Sequence, residues 1–295
     1  MHRRDFLIKT SLFSASSLFY GLPQSFAESP FTPLRKGVGF FTARGGTIGY
    51  RIAEDGVVVI DTQFPDSAQT CLKGLKERSQ RGIDLVFNTH HHGDHTAGNG
   101  VFKPHAKKII AHAQVPALQR ANAERRDNLE AQTYADTTFE EELVEDLGGE
   151  KVSARYFGAA HTGGDSVIYL ERANVAHIGD LVFNRLHPFI DRPGGASIAG
   201  WIEVLDKIAK TYPADTLYIF GHGRDEFGVA GSADDLQVMA GYLGALLDIV
   251  RKDIAAGKTQ GQNRRARDHP RLPRSSGPVG GGTRGQFGGG VRRID

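Results

Sequence analysis

Residues Asn88 to Asn99 read NTHHHGDHTAGN, with four histidines and one aspartate in the six positions 90–95, entered directly from the apolar run of GIDLVF. Imidazole is a costly side chain for a core and a redundant one for a surface, so such crowding asks for a shared ligand. His90 and His92 are two apart, and on an extended segment they face the same way and can share one cation. Asp94 and His95, beyond the turn at Gly93, can face a second. Zinc takes about four N, O or S ligands, and a catalytic ion leaves one position open. The cluster therefore supplies part of two shells, and the fold has to bring the rest from elsewhere.

Three further residues sit where strands run out into loops, the usual place for sites. His161 in GAAHTGGDS adds a third nitrogen to His90 and His92. His222 in FGHG joins Asp94 and His95, and Asp180 in HIGDLVF has two carboxylate oxygens with which to bridge both ions. His91, between two ligands, is expected to face away. His187 in RLHPFIDRPGG is either a pocket-lining or a plain loop residue, and His2, His105, His112, His177 and His269 remain unassigned.

Apolar patterning places these residues on an α+β fold. The stretch 37–64 alternates around Gly45-Gly46 and Asp55-Gly56 as successive antiparallel strands. Strand patterns at GIDLVFNTH, KKIIAHAQV, KVSARYFGAAH, DSVIYLE, NVAHIGDLVF and DTLYIFGHG are interleaved with helical ones at 66–80, 116–132, 195–212 and 232–258, the last opened by a Ser-x-x-Asp cap. Two rough halves of this kind suggest two sheets between outer helices. Cys71, the only cysteine, lies on an apolar helix face, excludes an intrachain disulfide and reads as a packed small hydrophobe.

Three segments follow from composition. Residues 1–27 pair Arg3-Arg4 with an apolar, serine-broken stretch and a small-x-small end at Ser25 and Ala27, and resemble a twin-arginine export signal with Lys9 one place late. Export through that machinery, signal cleavage near Ala27, a periplasmic or secreted location and no stable membrane anchor are the expectations. Folded export also suits a protein loaded with metal beforehand. Residues 259–295 carry eight Arg, two Asp and nine Gly, with no Lys, no Glu and no periodicity. They read as an Arg/Gly-rich arm, a linker-like tail or, favoured by the abrupt change near Gly257, a stretch translated out of frame. With +6 in that tail and +2 in the leader out of a total of +2, the body at 28–258 is acidic, about −6, which argues against a nucleic-acid partner.

The motifs T-H-x-H-x-D-H-x-x-G at 89–98, GAAHT at 158–162, GD at 179–180, GHG at 221–223 and IDT at 60–62 resemble, in order, those of the metallo-β-lactamase superfamily, over roughly Val38 to Gly257. The resemblance implies a four-layer αβ/βα sandwich of the metallo-β-lactamase/glyoxalase II kind. It also implies a dinuclear zinc site, with zinc ahead of iron or manganese, and an Asp61 that supports the metal loop without binding metal. A water bridging two such ions ionises near neutral pH and attacks a carbonyl carbon, with Asp94 orienting it. The largest β-lactamase subclass has Cys where this chain has Asp180 and usually Lys where it has Phe183. The bridging carboxylate resembles instead the hydroxyacylglutathione hydrolases, lactonases and esterases, although GAAHTGGDSVIYL and GWIEVLDKI are closer to the β-lactamases.

The expected function is zinc-dependent hydrolysis of a small-molecule ester, lactone, thioester or lactam. The alternatives are a β-lactamase proper, or a periplasmic accessory protein of a redox relay with an idle metal site. His92 stands where diiron flavoprotein relatives carry Glu, and the chain has no room for their flavodoxin domain. The extra nuclease domain of RNA-processing relatives has no counterpart in the sequence.

Overall fold

The computed structural model describes residues 29–265. The antiparallel run expected at its start is there: β1 (Phe31–Arg35), β2 (Val38–Phe41), β3 (Ile48–Ala53) and β4 (Gly56–Ile60) pair in succession. Next come α1 (Pro65–Arg78), β5 (Ile83–Asn88), the single turns α2 (Gly93–Thr96) and α3 (Asn99–Phe102), β6 (Ala106–His112), α4 (Val115–Arg125) and β7 (Thr137–Phe139). From β4 to β7 neighbouring strands are parallel, which requires crossover connections, and the seven strands form one sheet in sequence order.

The second half contributes β8 (Glu142–Asp146), β9 (Lys151–Tyr156), β10 (Ser166–Leu170), β11 (Val175–His177), β12 (Phe183–Asn184), α5 (Ile198–Thr211), β13 (Leu217–Ile219), β14 (His222–Gly223), β15 (Ala230–Gly231), α6 (Ala233–Ala255) and α7 (Gln260–Arg265). Six of these strands form a second sheet in the order β15-β13-β11-β10-β9-β8, and β12 and β14 form a separate parallel ribbon.

Both sheets are buried on two faces, which is why their central strands read as unbroken apolar runs. Val58 and Ile60 of β4 and Leu85 and Phe87 of β5 pack against Val152, Ile168, Leu170 and Ile219 of the second sheet. The alternate residues Val57, Val59 and Val86 point outward onto Ala68, Cys71, Leu72 and Leu75 of α1. On the far side, Val167, Ala176 and Tyr218 lie under Trp201, Leu205 and Ile208 of α5 and Leu236 and Leu243 of α6. The result is helix, sheet, sheet, helix, the α+β sandwich expected from the sequence. Cys71 is fully buried and burial pushes its thiol pKa up, in keeping with packing rather than reactivity.

The start of α6 carries the capping box read from Ser232 and Asp235. The tail departs from expectation where it begins: Gln260–Arg265 is a turn of helix rather than irregular chain. Nothing in the local composition announces it, since a Gln/Asn/Arg stretch has adequate helix propensity without apolar periodicity. The rest of the tail, and the leader at 1–27, lie outside the described residues. Among the described residues, no helix is long and apolar enough to cross a membrane.

Candidate metal centre

All seven expected ligands meet at one edge of the sandwich, on the segments that follow β5, β9, β11 and β13, with Asp94 and His95 on α2 and His222 on β14. His90 Nε2 and His161 Nε2 each lie 3.0 Å from His92 Nδ1, and Asp180 Oδ2 is 3.8 Å from His90 Nε2 and 3.5 Å from His161 Nε2. Beside this group, Asp94 Oδ2 is 3.6 Å from His95 Nε2 and 3.1 Å from His222 Nε2. Asp180 reaches this second group as well, with Oδ1 3.0 Å from His95 Nε2 and Oδ2 3.4 Å from His222 Nε2. One carboxylate thus contacts four imidazoles, two in each group.

The donor set fits a metal. Ligand atoms at about 2.0–2.1 Å around a tetrahedral ion stand about 3.3 Å from one another, close to the spacings found here. His92 Nδ1 faces two imidazole nitrogens at once, which a single hydrogen cannot satisfy. His95 Nε2 and Asp180 Oδ1 are buried and close, yet neither has an aligned hydrogen-bond partner. Buried polar atoms are normally paired, and a cation between these groups answers all three anomalies.

Outer partners fix which nitrogen each ring presents. His161 Nδ1 donates to the Phe189 carbonyl at 2.9 Å, leaving Nε2 for the ion. His92 Nε2 donates to Asp191 Oδ2 at 3.0 Å, leaving Nδ1. Asp61 accepts from Thr89 N at 2.8 Å, from Thr89 Oγ1 at 2.7 Å and from His95 Nδ1 at 2.7 Å, so it locks the His95 tautomer and the start of the histidine loop together. Asp61 does this from a backbone φ of 63°, an unfavourable conformation for a non-glycine residue that its three bonds hold in place.

At the first group burial agrees with these roles, whereas at the second Asp180 and Asp94 outweigh burial, raising His95 well above its ordinary value and His222 to about 9 in the absence of an ion. Burial drives the pKa of His90 well down and that of His161 to about 3, which keeps both rings in the neutral form that binds metal. Burial also opposes charge on Asp180, but His222 and His95 outweigh it and hold the carboxyl well below its ordinary range. The same contest brings Asp94 to about 2, against burial, through His95 and His222. Both carboxylates are therefore ionised among the imidazoles.

A family model described as the metallo-beta-lactamase superfamily matches residues 46–222, more than half of the chain. The chain belongs to this superfamily. It is 24% identical over 186 residues to metallo-beta-lactamase IND-1 of Chryseobacterium indologenes, covering 63% of this chain and 74% of that one. It is 28% identical over 133 residues to the alpha subunit of 2,4-dinitroanisole O-demethylase of Nocardioides sp. (strain JS1661), covering 44% of this chain but only 39% of the relative. The fold is shared with a metallo-beta-lactamase from Pontibacter korlensis, at TM-score 0.61 and 18% identity over 72% of this chain and 98% of that one. DIM-1 metallo-beta-lactamase shares it at TM-score 0.59 and 17% identity, over 72% and 96% of the two chains.

Several residues that shape this superfamily site carry no motif. Asp191 was not singled out from the sequence, because its partner His92 is 99 positions away and a lone Asp in a Pro/Gly loop reads as a turn residue. His91 belongs to neither of the two groups above but is buried, with Nε2 3.3 Å from Asp191 Oδ2, and with His92 and Asp191 it makes a third cluster of donor atoms. Asp165 accepts from Thr162 N and Thr162 Oγ1, both at 2.7 Å, and so folds the loop that presents His161. His187 is tied to Tyr242 Oη at 2.6 Å and is an outer tether of its loop. His112 stacks on Tyr156 and supports the fold. Two glycines make room for ligands: a Cβ at Gly46 would collide with the His95 ring, and one at Gly221 with Asp180 Oδ1.

Proposed function

We propose that this protein is a dinuclear zinc hydrolase acting on a small ester, lactone, thioester or lactam. The observation that carries the reading is Asp180, whose two oxygens touch both ion groups and leave no cysteine in the set. His90, His92 and His161 would hold the first ion, Asp94, His95 and His222 the second, and Asp180 both. Bound zinc polarises a carbonyl and brings the pKa of coordinated water down to ~7. Asp94 accepts from His222, its side chain keeps 28% of its surface exposed, and it is placed to orient the attacking water. Asp61 keeps His95 aimed throughout.

Aromatic side chains beside the donor groups favour a substrate with an apolar group next to the carbonyl. Phe183 stands where a β-lactam-binding lysine is expected, and its ring stacks on His222 at 5.2 Å. Arg185, two positions on, is drawn to Asp235 at 3.2 Å and lies over Phe227. Phe189 is 59% exposed, with its ring 5.6 Å from that of His92. The O-demethylase relative, named for a neutral aromatic ether, supports a small aromatic substrate.

The test is metal analysis of the purified protein, expected at two zinc per chain, with a panel of aryl ester, lactone, thioester and nitrocefin substrates. Asp94→Asn and His161→Ala should abolish turnover of whichever substrate the wild type cleaves. A protein that binds two ions yet leaves the whole panel untouched would shift the reading to the accessory role. We also propose export by the twin-arginine route to the periplasm or exterior. Replacing Arg3 and Arg4 by Lys should retain the protein in the cytoplasm, as read by cell fractionation.

A further inference from the structure

His177 closes β11, three positions before Asp180, and is completely buried without belonging to either ion group. Its Nε2 donates to the Thr47 carbonyl at 3.1 Å, across from one sheet to the other, and its Nδ1 accepts from Gly179 N at 3.2 Å. Thr47 in turn gives both its N–H and its hydroxyl to the Gly221 carbonyl, each at 2.9 Å, and Gly221 N donates to the Gly179 carbonyl at 2.7 Å. The four residues form a closed ring of hydrogen bonds. Gly179 and Gly221 immediately precede Asp180 and His222, and Thr47 follows Gly46, on which the His95 ring lies. The ring thus abuts the three residues His95, Asp180 and His222. Space for the imidazole is made by Gly49, where a Cβ would come within 2.7 Å of His177 Cδ2.

We propose that His177 is a positioning residue for the second metal group, fixing the separation between the Gly179-Asp180 and Gly221-His222 segments. The inference rests on the metal reading given above. A neutral imidazole has one donor and one acceptor, and here each is used once, the acceptor on Gly179 and the donor on Thr47, which in turn holds the Gly221 carbonyl. The first group is anchored differently, through Thr89, Asp191 and the Phe189 carbonyl. Loss of the His177 ring should therefore loosen the second ion, which depends on the placement of both Asp180 and His222, more than the first, which keeps His90, His92 and His161.

The experiment is a zinc titration of the metal-free protein against a competing chelator, with ion stoichiometry read by native mass spectrometry. His177→Phe, which fills the space and removes both hydrogen bonds, should bind the second ion at least tenfold more weakly and the first, which shares Asp180 but keeps its three imidazoles, only a few-fold more weakly. His177→Gln, which retains a donor and an acceptor, should recover part of the second site. Thr47→Val, which removes only the hydroxyl bond, should weaken the second ion by a smaller factor and serves as the readout if His177→Phe does not fold. Equal affinity for both ions in His177→Phe and Thr47→Val, or parallel loss of both ions, overturns the proposal. A wild type that takes up fewer than two ions overturns the metal reading itself and this inference with it.

Discussion

Asp61 and Phe189 illustrate how differently single residues act at this centre. Asp61 is fully buried and touches no ion group directly except through the His95 ring, yet three hydrogen bonds converge on it. Outer partners of this kind typically support metal affinity or activity by about 10–100-fold. Asp61→Asn, which keeps the volume but offers an amide where His95 needs an acceptor, should weaken zinc by that order in a chelator competition. Phe189 works from the surface. Its backbone holds His161 while its ring is free for substrate, so Phe189→Ala should raise KM for an aryl ester several-fold, leave KM for a small alkyl ester nearly unchanged, and leave zinc content intact. Equal effects on both esters would sink the apolar-contact reading.

Among the elements, β5 and α6 show how buried polarity and capping hold the layers in register. Asp84 on β5 accepts from Val57 N on β4 at 2.9 Å and from Lys107 Nζ on β6 at 2.6 Å, tying three strands at their lower ends. Burial opposes its charge, but these donors outweigh burial and depress its pKa. A depressed carboxylate stabilises fully above its unfolded pKa of about 3.9 and loses that contribution as pH falls through the lower folded value. Asp84→Asn should therefore lower Tm at pH 7 and do so less at pH 3. Ser232, capping α6 reciprocally with Asp235, should cost about 1 kcal/mol when changed to Ala, measured by chemical denaturation. Both elements were legible in the sequence: β5 from its apolar run into the histidines, and α6 from its Ser-x-x-Asp start. The role of Asp84 was not, because it needs β4 and β6 alongside.

At the level of the whole molecule, the two halves are held together between the sheets and again at the ion groups. The candidate ligands come from 90–95 in the first half and from 161, 180 and 222 in the second, so a bound metal would staple the halves. A ligand present at about a thousandfold excess over its Kd stabilises by about 4 kcal/mol, and for a domain of this size 1 kcal/mol moves Tm by about 2–4 °C. Chelation should thus lower Tm by roughly 8–16 °C, and added zinc should restore it. The sequence by itself determined the candidate ligand residues, the division of NTHHHGDHTAGN between two donor groups, the buried β runs and the α+β class, since these rest on residue type and on spacings of a few positions. Only the tertiary structure decided the outer partners: Asp191 with His92 across 99 positions, and Thr47 with Gly221 across 174. Such pairs leave no local periodicity, because a hydrogen bond between distant loops depends on how two sheets are stacked, and no short stretch of chain records that stacking.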